Sequence, residues 1–429
     1  MQQVTVSQLK NHQGAKISLS GWVYNIRSSG KIAFLQLRDG SGFCQAIVDQ
    51  QTVSDKVWQT VQQLTIESSV RLSGQVSKHP KKEDYELQVS DLTIEQLAAD
   101  YPISKKEHGV EFLMDQRHLW LRSGKQWAIQ RIRNSVINAI YQFLNQQGYI
   151  KIDSPILTPN ACEGTTELFE LDYFDQKAYL TQSGQLYLEA AIFSHGKVFD
   201  FGPVFRAEKS KTRRHLTEFW MMDVETAWLD HQANMKLQEE LICYVIAEVL
   251  DKCQTELNIL ERDISGLKKI KAPFDRLTHA EAVKKLQALG SDIKADEDLG
   301  GDDETLITKD SSQPVFIEKW PAKIKAFYMK RDARNDDLVL GSDLIATEGY
   351  GEIIGGSERE ADYDILEKRI REQGFPLSDW QWYLDLRRYG SVPHSGFGVG
   401  LERLVGWLAG VKHVRETIPF PRTINRLRP

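Results

Sequence analysis

The sequence predicts an α+β chain in two parts: a small barrel of five short strands, then a larger domain whose antiparallel sheet is flanked by helices. Three observations carry this. The first hundred residues alternate apolar and polar side chains in short runs broken by turn residues. The remainder mixes strand-like and helix-like stretches without a regular strand–helix–strand rhythm. Finally, 429 residues, 41% hydrophobic and 27% charged, are enough for two or three domains with a large core.

The elements follow in order. Ile17–Ile26, Ala33–Arg38 and Phe43–Val48 read as half-buried strands, joined by turns at Ser28–Gly30 and Asp39–Gly42. A helical stretch near Lys56–Gln63 precedes strands at Ser69–Val76 and Tyr85–Ile94. Five strands and one helix in so short a span suggest a Greek-key barrel of the OB type. The polar segment Tyr101–Gly109 reads as a hinge, giving a barrel at 1–100, a linker at 101–115 and a larger domain at 116–429. Arg117–Gly148 is one long amphipathic helical pattern, with Trp127, Ile129, Ile132, Val136, Ile140 and Phe143 on its apolar face and Gly148 at its stop. Asp292–Glu304 is acidic and contains glycine, the composition of a surface loop.

Several functional classes drop out. No apolar run approaches the ~18–20 residues of a membrane span. Met1–Lys10 lacks the basic-then-apolar pattern of a signal peptide, so a cytoplasmic location is expected. Cys44, Cys162, Cys243 and Cys253 form no Cys-x-x-Cys pair and read as free thiols. The net charge of −6 argues against a non-specific polyanion binder, and residues 1–100 carry 10 basic and 10 acidic side chains. RNA affinity would have to come from one face. A P-loop, a dinucleotide glycine motif and a Gly-x-Ser-x-Gly elbow are all absent.

Chemistry concentrates in three clusters. From Arg206 to His215, Arg206, Lys209, Lys211, Arg213 and Arg214 stand against one negative charge, Glu208, in a polar stretch between Phe205 and Phe219, a loop joining two strands. Such a loop can close over phosphates with bidentate arginines, or be a solvated basic turn. Asp343 and Glu352 stand in an apolar, glycine-rich segment that ends in Arg359. They suit Mg²⁺ beside nucleotide phosphates, or a structural carboxylate pair at a turn. Gly396-Phe-Gly-Val-Gly400 runs into an apolar helix with Arg403 near its start, where the helix dipole favours an anion; a surface arginine is the plain alternative.

In this order, behind an OB-like barrel, the three clusters resemble a class II aminoacyl-tRNA synthetase of the aspartate/asparagine/lysine subgroup. Tyr149–Pro155 resembles its motif 1, Phe205–Phe219 its motif 2 and Gly396–Arg403 its motif 3. The class I signatures are absent. Within the subgroup the resemblance runs to the asparaginyl enzymes: Leu188 replaces a lysine typical of aspartyl members, Glu189 brings negative charge, and Leu384–His394 has the asparaginyl form. Asn and Asp are isosteric, so charge must separate them.

The resemblance implies activation of L-asparagine by ATP and transfer to tRNA(Asn), with Mg²⁺, by a homodimer joined through motif 1. It implies that Arg206 binds the α-phosphate, Glu208 orients the adenine or the substrate amino group, and Phe219 stacks on the adenine. Arg214 and His215 would contact the outer phosphates and Arg403 would cap them, with Asp343 and Glu352 as metal ligands. Glu163, Ser183, Gln185 and Glu189 would line the amino-acid pocket. Arg359 would grip the α-carboxylate, and Arg388, rather than Arg387, would face the amide oxygen. In the barrel, Arg27, Phe34 and Gln45 would read the anticodon. The rivals are an aspartyl enzyme, possibly non-discriminating, an asparagine-forming aspartate ligase and a silent RNA-binding paralogue.

Overall fold

The structure, a computed structural model, describes residues 1–104, 106–160 and 167–429. It divides into two compact units, Met1–Met114 and Asp115–Pro429.

The first unit is built on β1 (Lys16–Ser29), β2 (Ile32–Arg38), β3 (Phe43–Asp49), α1 (Asp55–Gln63), β4 (Ser69–Lys78) and β5 (Tyr85–Gln96). β1 closes the barrel: Lys16–Trp22 pair with β4, and after a bulge near Tyr24 its far end pairs with β2. β3 joins β5 in parallel. The period-2 pleat sends Leu19, Val23, Leu35, Leu37, Ala46, Val48, Leu72 and Leu87 inward. The opposite face then carries Arg27, Phe34 and Ile47 side by side across three strands, with Gln36 beside Gln45 in the next row. The Gln2–Gln3 pairing along β1 is an addition the alternation did not signal.

The second unit departs from the single long helix expected. Arg117–Trp120 forms one turn, and α2 (Gly124–Gln146) starts afresh because Ser123 Oγ caps the Gln126 amide at 3.3 Å. Its apolar face, from Ile129 to Leu144, is buried as the periodicity required.

The sheet comprises β6 (Ile150–Lys151), β7 (Lys197–Phe205), β8 (Glu218–Ala227), β9 (Asp275–Thr278), β10 (Val315–Pro321), β11 (Asn335–Ala346), β12 (Gly351–Glu358) and β13 (His394–Gly400). Their order is β9-β10-β11-β12-β13-β8-β7-β6, with Arg331–Asp332 alongside β11. Six central strands are antiparallel, while β9 and β6 pair in parallel at the two edges, so the sheet is mixed. Met222, Val224, Leu344, Ile354, Phe397 and Val399 point into one core with residues of α2, α4 (His231–Lys252) and α6 (Leu401–Ala409). The alternate residues of β8, β11 and β13 face the other way, and that face carries the site. Between β6 and β7 lies α3 (Gln185–His195), and α5 (Leu377–Arg388) precedes β13.

The expected loop at 292–304 is a loop only at first. Gly301–Ile307 is helical, and Glu304 is drawn inward to an ion pair with Arg214 at 2.6 Å.

Candidate active site

Glycines in β13 make room for carboxylates on β8. Gly396 lies opposite Glu225, and Gly398 lies opposite Asp223. A Cβ at 398 would stand 2.7 Å from Asp223 Oδ1, and one at 396 would overlap Glu225 Oε1 and the Val224 carbonyl oxygen. Backbone cannot yield there as a flexible side chain can. Gly396→Ala is therefore expected to cost about 1–3 kcal/mol, read as a lowered thermal midpoint.

A cleft of about 400 Å³ opens on this face of the sheet, and its lining, together with Glu225 buried directly behind Arg359, falls into two bonded groups. In the first, Ser183 Oγ and the Gly184 amide both donate to Asp223 Oδ2, at 3.0 and 2.8 Å. Burial, helped by Asp200, pushes Asp223 up to about 6. Arg359 lies 5.3 Å from the Tyr328 ring, and its Nε and Nη2 donate to Glu225 Oε1 at 3.1 and 2.5 Å. The second oxygen of Glu225 is buried and meets no protein donor among the described residues. Burial pushes Glu225 up to about 8 against the pull of Arg359, with Glu189 and Asp223 adding to the rise.

The second group is cationic. Arg206 Nη1 donates to the Gln182 carbonyl at 2.5 Å, and its guanidinium lies 5.6 Å from the Phe219 ring. Arg403 donates to the Glu352 carbonyl at 2.8 Å and lies 3.6 Å from its carboxylate. Burial, then Arg403, Arg206 and Arg214, lower the His215 pKa, so its imidazole is neutral near pH 7. Lys325 bonds Asp343 at 2.8 Å. Asp343 is pushed up to about 7, chiefly by burial and with Glu352 adding to the rise. Glu352 Oε1 and Asp343 Oδ1 converge on bare Gly355, 2.8 and 3.7 Å from where its Cβ would be.

A cleft with two such ends, one rich in carboxylates and one in arginines, sits on a fold with known relatives. Residues 109–424 match the family of class II tRNA synthetases (D, K and N), and residues 17–95 match the OB-fold nucleic acid binding domain. The chain belongs to the class II tRNA synthetases. It is 43% identical to the Pyrococcus horikoshii asparaginyl-tRNA synthetase solved with asparaginyl-adenylate, covering 100% of both chains at a TM-score of 0.96. The Entamoeba histolytica asparaginyl-tRNA synthetase with the same adenylate is 30% identical over 100% of this chain and 99% of its own (TM-score 0.91). The aspartyl tRNA synthetase of that organism is 28% identical over 100% and 93% (TM-score 0.85).

In this synthetase Ser183, Gln185, Arg206, Glu208, Arg214, His215, Phe219, Asp343, Glu352, Arg359 and Arg403 all line the cleft. Arg214 does so with its donors committed to Glu304, Thr305 and the carbonyls of Gly301 and Gly349. Two expectations need correcting. Arg388 is exposed, stacked at 4.9 Å on Tyr363 and bonded to its hydroxyl, because the helical turn of α5 carries it away from the sheet. Glu189 is fully buried behind the cleft with both oxygens taken, by Gln185, Tyr383, Arg387 and His394, so neither is free for a substrate amide. Leu188 packs with Ile192 and Val198. Glu163 and Cys162 lie outside the described residues.

Asp223, Glu225, Tyr328 and Lys325 escaped the sequence reading. The signal for the first two was available: they alternate with Met222 and Val224 on a strand whose other face is core. In the barrel, Phe34 is half-buried, Arg27 is exposed and Gln45 donates to Glu86 at 2.7 Å.

Proposed function

We infer that this synthetase is an asparagine–tRNA ligase. It activates L-asparagine with ATP, releasing pyrophosphate, and passes the asparaginyl group from the adenylate to the terminal ribose of tRNA(Asn), releasing AMP. The observation that carries the choice of amino acid is the Glu225–Arg359 pair. A side-chain amide offers an acceptor and a donor; Arg359 supplies the donor, and the unmet oxygen of Glu225 supplies the acceptor. An aspartate would set its carboxylate against that of Glu225. This takes the discriminating role from Glu189 and moves Arg359 from the α-carboxylate to the amide.

Arg206 is then the cation suited to bring the α-carboxylate against the α-phosphate and to neutralise charge growing on the pentacoordinate phosphorus. Phe219 offers a stacking face for the adenine, with Glu208 near it, and Arg403 and His215 offer contacts to the outer phosphates. Two carboxylates are too few to cage a bare metal ion, but Mg²⁺ is ordinarily held by one or two carboxylates plus substrate phosphates, which fits Asp343 and Glu352. When bound there it would supply charge neutralisation at the phosphates.

On the barrel, the outward Arg27–Phe34 pair supports base stacking with a phosphate contact, and Gln45 supports edge recognition of the anticodon. Exposed Ile150, Ile156 and Leu157 about edge strand β6 support a homodimer through this element. Among the described residues no helix is long and apolar enough to cross a membrane, in keeping with work in the cytoplasm.

The test is charging: asparagine should become acid-stable on a tRNA(Asn) transcript, and an altered anticodon should abolish it. A pH series adds a sharper expectation. Because the Glu225 pKa is raised, its proton persists to higher pH than usual for a carboxyl group, and a protonated carboxyl no longer repels aspartate. The preference for asparagine over aspartate in ATP–pyrophosphate exchange should therefore widen from pH 6 to pH 9, while a flat ratio would contradict the assignment.

A further inference from the structure

We propose that Glu189 is a positioning residue that fixes which way round the Gln185 amide faces, and through it the recognition of the substrate's α-ammonium group. The inference deepens the reading above and rests on it. Gln185 and Glu189 stand at i and i+4 on α3, the spacing that brings two helical side chains together. Gln185 Nε2 donates to Glu189 Oε1 at 3.0 Å. Glu189 itself is immobilised by Arg387 at 2.6 Å, His394 Nε2 at 3.1 Å and the Tyr383 hydroxyl at 2.7 Å, all buried. Burial alone would raise its pKa, but Arg387, His394 and Arg359 outweigh it and hold the carboxylate well below the usual range.

An ionised carboxylate only accepts hydrogen bonds. The NH₂ of Gln185 must therefore turn to Glu189, and Gln185 Oε1 turns the other way. Gln185 lines the cleft beside Ser183 and Asp223, and no protein donor takes that oxygen among the described residues. An ammonium group, with three donors and no acceptor, is the partner this oxygen suits. The reverse orientation would set N–H against N–H. The buried cluster thus touches no substrate, and its effect reaches the ligand only through one amide. A neutral residue at 189 would let Gln185 adopt both orientations.

The experiment uses the full chain with Glu189→Gln, and with Glu189→Asp as a second variant. The aspartate retains the charge opposite Arg387 but draws it back from Gln185, so it guards against a failure to fold. Binding of L-asparagine and of succinamic acid, which is asparagine without its amino group, is measured by calorimetry, alongside KM and kcat for pyrophosphate exchange. Both variants are expected to weaken asparagine about tenfold or more, the scale of one hydrogen bond to a charged group, with KM rising and kcat holding. Succinamate binding should be unchanged. Equal weakening of both ligands, or undiminished asparagine binding, overturns the proposal while leaving the amino-acid assignment intact. A wild-type chain that binds no asparagine overturns the assignment itself and the proposal with it.

Discussion

Glu225→Gln is expected to lower asparagine activation about 10²-fold and to collapse the preference for asparagine over aspartate. In the native chain, one oxygen of Glu225 is held by two nitrogens of Arg359 and the other meets no protein donor among the described residues. A glutamine would keep its oxygen on Arg359 and turn its NH₂ toward the ligand. That NH₂ opposes the NH₂ of asparagine yet serves an oxygen of aspartate. Losing a charge-assisted bond and leaving two donors face to face costs roughly 2–3 kcal/mol, which sets the magnitude. The check is kcat/KM for both amino acids in pyrophosphate exchange, side by side on wild type and variant. A variant that loses both activities equally would show Glu225 to be structural only.

Arg206→Ala should cost about 10²–10³-fold in kcat for adenylate formation, as removal of one preorganised donor to a transition-state anion does. The Gln182 carbonyl and the Phe219 ring hold the guanidinium in place before any ligand arrives, so little reorganisation is needed at the moment of reaction. Arg206→Lys should recover only part of the loss, because an ammonium keeps the charge but not the planar fork. Single-turnover formation of the adenylate at saturating ATP separates this from substrate binding. A loss below tenfold would assign the work to Arg403 instead.

Much of the fold lay open in local pattern. Alternation in the first two barrel strands, with the turn residues between strands, marked the barrel, and three-to-four-residue spacing marked the buried face of α2, because each signal depends only on neighbouring residues. The break at Ser123 was hidden, since a serine inside an apolar period reads as a tolerated polar residue until its hydroxyl is seen capping a new helix. The parallel edge strands β9 and β6, four and two residues long, are too short to show any period. The cationic half of the cleft was legible because arginines and glycines punctuate an otherwise apolar sequence. Its carboxylate-rich half was not. Glu189 and Glu225 are both glutamates amid apolar neighbours, and only tertiary contact shows that the first is saturated by Arg387, His394 and Tyr383 while the second has an oxygen to spare. Likewise Arg387 and Arg388 differ in sequence by one step, which on a helix is a turn of about 100°, enough to bury one and expose the other.

The most direct test of the central claim is ATP–pyrophosphate exchange without tRNA, with L-asparagine and L-aspartate run in parallel on the wild-type chain at pH 9, where Glu225 has lost its proton. The account requires exchange with asparagine and little or none with aspartate. Aspartate-driven exchange at a comparable rate would contradict it, since no aspartate side chain can be taken readily against an ionised Glu225.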